Sequence, residues 1–199
     1  QVDIPAGYSI VWSGQFEYME RAAKRLQLVV PATLMIIFIL LYLNFRNLLE
    51  PIIVMLALPF AVIGGIWMLY FNDYNLSVAV YAGFIALAGM AAEIGVLVLS
   101  FIDMEIATRR TKSTQPLTRG ELIQACQQAT SKRVRPVVMT AVSTMAGLIP
   151  IMLSSGTGSD VTHRIAAPML GGMLTVLILN LLVLPVIYSF VLQYQEQKT

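Results

Sequence analysis

The chain has 199 residues, 57% of them hydrophobic and 12% charged. With a mean hydropathy of +0.75, this excludes a soluble enzyme, because a fold of this size cannot bury so large an apolar excess. A formal net charge of +2, with Lys and Arg mostly in one connection, excludes a groove-tracking nucleic-acid surface. One cysteine, Cys126, excludes an intrachain disulfide and a Cys cluster for zinc, and nothing in the composition calls for a cofactor.

The N-terminal segment, residues 1–25, is polar. It opens Gln1-Val2-Asp3 without an initiator Met or an apolar leader, and so reads as a piece of something larger. Tyr8 to Trp12 alternates as a short strand would, and Glu17, Glu20, Arg21, Lys24 and Arg25 fall at helical spacing on a solvated face. The segment is expected to be the end of an extramembrane domain with its linking helix. Residues 26–45, 51–72, 74–92, 136–159 and 165–195 then run without Asp, Glu, Lys or Arg, each long enough to cross a hydrocarbon core of about 30 Å as helix. The expected fold is an all-α membrane protein, a five-helix transmembrane bundle over 26–192. Its spans fall at about 26–43, 51–71, 76–102, 136–153 and 166–192.

The third span is rich in small residues. Ala88 with Ala92, and Ala91 with Gly95, are four apart, the spacing that lets helix backbones approach closely, so this span is expected at the centre of the bundle. Residues 103–135 form the long polar connection. Thr118-Arg119-Gly120-Glu121 has capping-box spacing, and the apolar side formed by Leu122, Cys126 and Ala129 suits a helix lying on the membrane surface. The tail, 193–199, is polar. Arg46, Arg109, Arg110, Lys112, Arg119, Lys132, Arg133, Arg135 and Lys198 fall on one face and Arg21, Lys24, Arg25 and Arg164 on the other. By the positive-inside rule the N-terminal segment is outside and the C-terminus cytoplasmic.

Only Glu93 carries a charge well inside a span, seventeen residues into the third, at a depth of about 26 Å along the helix. An ionised carboxylate there costs at least about 2.5–3.5 kcal/mol, relieved by protonation or by a partner in the bundle interior. A carboxyl that gains a proton from one side and releases it to the other is what a proton-driven pump needs; a neutral Glu bonded between helices for packing is the structural alternative. No Lys or Arg lies inside the expected spans. Thr140, Ser143, Thr144 and Asn180 are the hydrogen-bonding candidates near it, with Thr140 and Ser143 taken as relay candidates. Among eleven methionines, Met90 lies three before Glu93 and Met169 and Met173 are four apart, so these three are weak thioether candidates for a soft metal, although Met is also ordinary packing material. Asp160 and His163 make only half a metal site.

The blocks Gly83-Phe84-Ile85-Ala86-Leu87-Ala88-Gly89-Met90-Ala91-Ala92-Glu93-Ile94-Gly95, Arg133-Val134-Arg135-Pro136-Val137-Val138-Met139-Thr140, Gly156-Thr157-Gly158-Ser159-Asp160 and Arg164-Ile165-Ala166-Ala167-Pro168-Met169-Leu170-Gly171-Gly172-Met173 resemble the heavy-metal branch of the resistance-nodulation-division (RND) efflux pumps, CusA/SilA type. The likeness covers nearly the whole chain. It implies that the spans are the last five of a twelve-helix protein in the bacterial inner membrane. It also implies a homotrimer working with a periplasmic adaptor and an outer-membrane channel, exporting copper or silver cations in exchange for protons. Glu93 falls on the family's acidic relay position. The resemblance carries over no metal ligand, because the family's methionine site lies outside this chain. One position departs from the pattern: Val137 stands where the copper and silver exporters have a lysine, and is closer to zinc and cobalt exporters. Export of zinc, cobalt or nickel, or a non-transporting RND-like membrane module, are the alternative readings.

Overall fold

The computed structural model describes residues 15–112 and 118–196. The strand expected at Tyr8 to Trp12 lies outside them, as do 113–117 and the end of the tail. Six helices follow in order: α1 (Gln15–Phe45), α2 (Leu49–Phe71), α3 (Val78–Lys112), α4 (Arg119–Leu153), α5 (Ser159–Ile178) and α6 (Leu184–Glu196), the last two joined by a π-helical turn, Leu179–Val183. Among the described residues five helical stretches are long and apolar enough to cross a membrane, with α5, the π turn and α6 making one of them. The chain is therefore an all-α transmembrane bundle. In lipid only helix satisfies every backbone group within the segment, and this is why Pro31, Pro59 and Pro168 sit inside helices without ending them.

Helix α3 packs against α1, α2, α4, α5 and α6, the central position that its small residues predict. Ala91, Ala92 and Gly95 are buried, whereas Gly89 faces open space. Helices α2 and α5 approach closely enough for their backbones to touch. A Cβ added at Gly64 would come 2.5 Å from the Gly171 carbonyl oxygen, and one added at Gly171 would come 2.5 Å from that of Gly64. Lipid tails are as apolar as leucine, so this close contact, and not exclusion from water, holds the pair together. Around it lies one apolar core that includes Val54, Leu87, Val98, Leu99, Ala141 and Val176. Trp67, Tyr70 and Phe71 cluster at the far end of α2 with ring centroids 5.7–6.3 Å apart, as an interfacial aromatic belt does.

The stretch 103–135 differs from its sequence reading. Helix α3 runs on to Lys112, and α4 is continuous from Arg119 through Pro136. At 35 residues each these helices are about 52 Å long, well beyond a hydrocarbon core of about 30 Å, and their extensions pack on each other. Leu122, Ala125, Cys126 and Ala129 are buried in one cluster with Leu99, Ile102 and Ile106, so the apolar side of the presumed surface helix is covered by α3 and not by lipid. Arg109 donates to Gln128 Oε1 (2.6 Å) and to the Glu121 carbonyl (3.2 Å), and Lys132 Nζ meets Glu105 Oε2 at 3.0 Å. This bracing carries α4 past Pro136, whose ring frees only the Lys132 carbonyl on an exposed face. The capping box is formed as expected, the Thr118 backbone N–H donating to Glu121 Oε2 at 2.7 Å.

Candidate functional site: a groove at Glu93

Glu93 opens onto a cavity of about 190 Å³ between α3 and α4. Met90, Glu93, Ile94 and Leu97 line it from α3, at positions i, i+3, i+4 and i+7, which form one helical face. Arg133, Val137, Thr140, Ala141 and Thr144 line it from α4 with the same periodicity, and Met173 closes it from α5. Glu93 stands fifteen residues after Val78, about 22 Å along α3. Apart from the Glu93 carboxyl, two hydroxyls and one guanidinium, the side chains of the wall are apolar.

The structure brings together some of the sequence candidates and separates others. Thr140 lines the groove, but its hydroxyl donates to the Pro136 carbonyl (3.1 Å), and Thr144 likewise donates to the Thr140 carbonyl (3.0 Å). Self-bonded hydroxyls of this kind are common in membrane helices. Ser143 is exposed and does not line the groove. Met90 and Met173 share the groove with Glu93, whereas Met169 is outside it. Asn180 sits in the π turn, 1% exposed, donating from Nδ2 to the Ala91 carbonyl at 3.4 Å, with Oδ1 buried and unpartnered; it approaches the backbone beside Glu93 and not its carboxyl. His163 donates from Nε2 to the Ser154 carbonyl (2.9 Å). Among the described residues no group of three or more His, Cys, Asp or Glu is placed to hold a metal ion.

Two features escape the sequence reading. Arg133 shares the groove because α4 continues through Pro136, so the only guanidinium in the wall comes from what reads as a polar connection; it also stacks on the Phe101 ring. Secondly, Asp103 and Glu105, at the end of the third expected span, are both partnered. Glu105 meets Arg109 and Lys132. Asp103 accepts a hydrogen bond from Tyr188 of α6, whose phenol also contacts Glu50 Oε1 of α2 at 3.1 Å. A tyrosine in an otherwise apolar span, and an acid directly before Pro51, are the only signals of that cluster in the sequence.

Comparison with known proteins agrees with this architecture. Residues 1–192 match the AcrB/AcrD/AcrF family. The chain is 46% identical over 95% of its length to the cation efflux system protein CusA of Escherichia coli K12, covering 18% of that protein. It is 44% identical over its whole length to the putative cation efflux system protein SilA of Salmonella typhimurium, covering 19% of it. A crystal structure of a heavy metal efflux pump superposes with a TM-score of 0.78 at 32% identity, over 96% of this chain and 18% of that one. The chain thus spans about a fifth of the length of the relatives it matches. Five apolar helices in the order and packing of those pumps, together with identity along the whole length, make it a member of the AcrB/AcrD/AcrF family in its heavy-metal efflux, CusA/SilA-type branch.

Proposed function

We propose that this chain is part of the second half of a trimeric inner-membrane pump that exports heavy-metal cations in exchange for protons, copper and silver first among them. In this reading Glu93 is the proton carrier. The observation that supports it most is the midspan carboxyl opening onto an apolar groove between two long helices. Protonation removes a charge that costs at least about 2.5–3.5 kcal/mol in hydrocarbon, and the two charge states favour different α3–α4 spacings. The reading includes a periplasmic N-terminal side, a cytoplasmic C-terminus, and assembly with a periplasmic adaptor and an outer-membrane channel. Thr140 would act only by turning its hydroxyl from the Pro136 carbonyl to the acid, and Ser143 would need α4 to rotate. Met90 and Met173 are the thioethers in reach of a soft cation entering the groove.

A second reading, export of zinc, cobalt or nickel, is supported by Val137, which is 4% exposed and lines the Glu93 groove, at the position where the family resemblance implies a lysine in copper and silver exporters. Cells expressing the full-length protein separate these. The first reading expects resistance to silver and copper salts, lost in Glu93→Gln while membrane levels of protein are kept. Resistance to zinc and cobalt alone supports the second, and full resistance in Glu93→Gln removes the relay from both.

A further inference from the structure

Glu50, Asp103 and Tyr188 meet at the end of the bundle that carries the 46–48 link between α1 and α2. The three come from α2, α3 and α6, so their meeting depends on the tertiary fold. Glu50 is 7% exposed and Tyr188 1%. The Tyr188 phenol is within hydrogen-bonding distance of Glu50 Oε1 (3.1 Å) and of Asp103 Oδ1. Asn47 Nδ2 donates to the same Glu50 Oε1 at 3.2 Å, while Glu50 Oε2 is buried without a hydrogen-bond partner. Among the described residues no ion pair joins a cation to Glu50 or Asp103. Asp103 has Tyr188 and Glu50 as its electrostatic neighbours, and Cys126 of α4 lies within range of Asp103. Arg109 and Lys132 are engaged by Glu105, and Arg133 lies over Phe101.

Counting hydrogens decides the state of this cluster. A phenol has one proton, and an ionised carboxylate has none to give. Two carboxylates therefore cannot each take a full hydrogen bond with one phenol unless one of them is protonated and donates to the phenol oxygen; two bare carboxylates would have to divide a single bifurcated bond. Two negative charges around one buried hydroxyl, with no cation bonded to either among the described residues, favour the same arrangement. The carboxyl that holds the proton donates it to Tyr188 Oη, and Tyr188 donates its own proton to the other carboxylate, while Asn47 donates to Glu50 Oε1 in either arrangement.

We propose that Glu50, Tyr188 and Asp103 form a second proton-binding site, in which two carboxyl groups share one proton through the phenol. The site can also pass that proton. Tyr188 gives its phenolic proton to one carboxylate as the proton of the other carboxyl moves to the phenol oxygen. Each step breaks one O–H bond and forms one, and the negative charge moves from one carboxyl to the other. Asp103, only partly buried, is the member that exchanges with water. The proposal goes beyond the Glu93 reading and does not depend on it, since no atom of the cluster lies in the Glu93 groove.

The test is infrared spectroscopy of the full-length protein in lipid nanodiscs at neutral pH, reading the carboxylic-acid carbonyl stretch. The wild type should show a protonated-carboxyl component that Glu50→Gln and Asp103→Asn each abolish entirely, because with one carboxyl left the phenol's own proton completes the bond. Glu93→Gln should leave this component unchanged even where it abolishes metal resistance, so the two readings fail separately. The amide variants keep the size and a hydrogen bond to Tyr188, and retained trimer on size exclusion checks folding. A component lost only in Glu50→Gln would mean an isolated buried acid and overturn the sharing. A component insensitive to both substitutions would overturn the site.

Discussion

Replacing Gly171 by alanine tests the packing that holds α5 against α2, and so the frame on which the groove depends. The added methyl would meet the Gly64 carbonyl oxygen at 2.5 Å, where ordinary contact begins at 3.4 Å, and neither atom belongs to a flexible side chain. The two helices must separate locally by about 0.9 Å, and a radial gap of about 0.5–1 Å forfeits about a quarter to a half of each dispersion contact across it. Overpacking of a tight interface costs about 1–3 kcal/mol, a factor of about 5 to 150 in the folding equilibrium. Gly89→Ala, on the next helix but facing open space, provides the comparison, with an expected gain of up to about 1 kcal/mol from helix propensity alone. Unfolding of the full-length protein in mixed micelles of a mild detergent and dodecyl sulfate, followed by helical circular dichroism, should move the midpoint to lower dodecyl sulfate for Gly171→Ala and not for Gly89→Ala. Equal midpoints would refute the claim that backbone contact at Gly64 and Gly171 holds these helices together.

Three further outcomes are expected. Val137→Lys introduces an ammonium into the Glu93 groove; metal-resistance assays on cells should show resistance shifting toward silver and copper, and an unchanged ion range would mean that position 137 does not bear on ion choice. A cysteine at Ser155 should react with an impermeant thiol reagent added from the periplasm, while one at Gly120 should react only after the membrane is opened; the reverse pattern would invert the orientation, and native Cys126, 2% exposed, should add little background. Glu105→Ala removes both ion pairs of the α3–α4 extension and should lower stability by about 0.2–1 kcal/mol, read as a small shift of the same detergent midpoint with metal resistance intact.

The bundle was legible in the sequence because lipid imposes one rule on every span: about twenty apolar residues, helical throughout. The small residues of α3 reported its central position for the same reason, since close approach replaces the hydrophobic effect between helices in a membrane. Glu93 stood out because an acid at midspan is costly. The extension of α3 and α4 was not legible. Leu122, Cys126 and Ala129 make an amphipathic pattern that suits a lipid surface and a partner helix equally well, and only the packing onto Leu99, Ile102 and Ile106 distinguishes them. Pro136 after Arg135 read as the start of a span, whereas bracing by Arg109, Glu105 and Lys132 keeps the helix unbroken and brings Arg133 to the groove. The Glu50, Asp103 and Tyr188 cluster was hidden because its members stand 53 and 85 positions apart along the chain, and long-range hydrogen bonds leave no local pattern.

The central claim is that the Glu93 carboxyl carries the proton that drives cation export, and it is tested most directly by measuring both fluxes at once. Full-length protein in liposomes, with a pH indicator inside and silver or copper uptake recorded under an imposed proton gradient, should show coupled proton and metal movement. In Glu93→Gln both fluxes should fall to the level of empty liposomes, with the amount of folded protein in the liposomes unchanged. Glu93→Asp, which keeps the carboxyl on a shorter stem, should retain a measurable part of each. Undiminished coupled flux in Glu93→Gln would contradict the account.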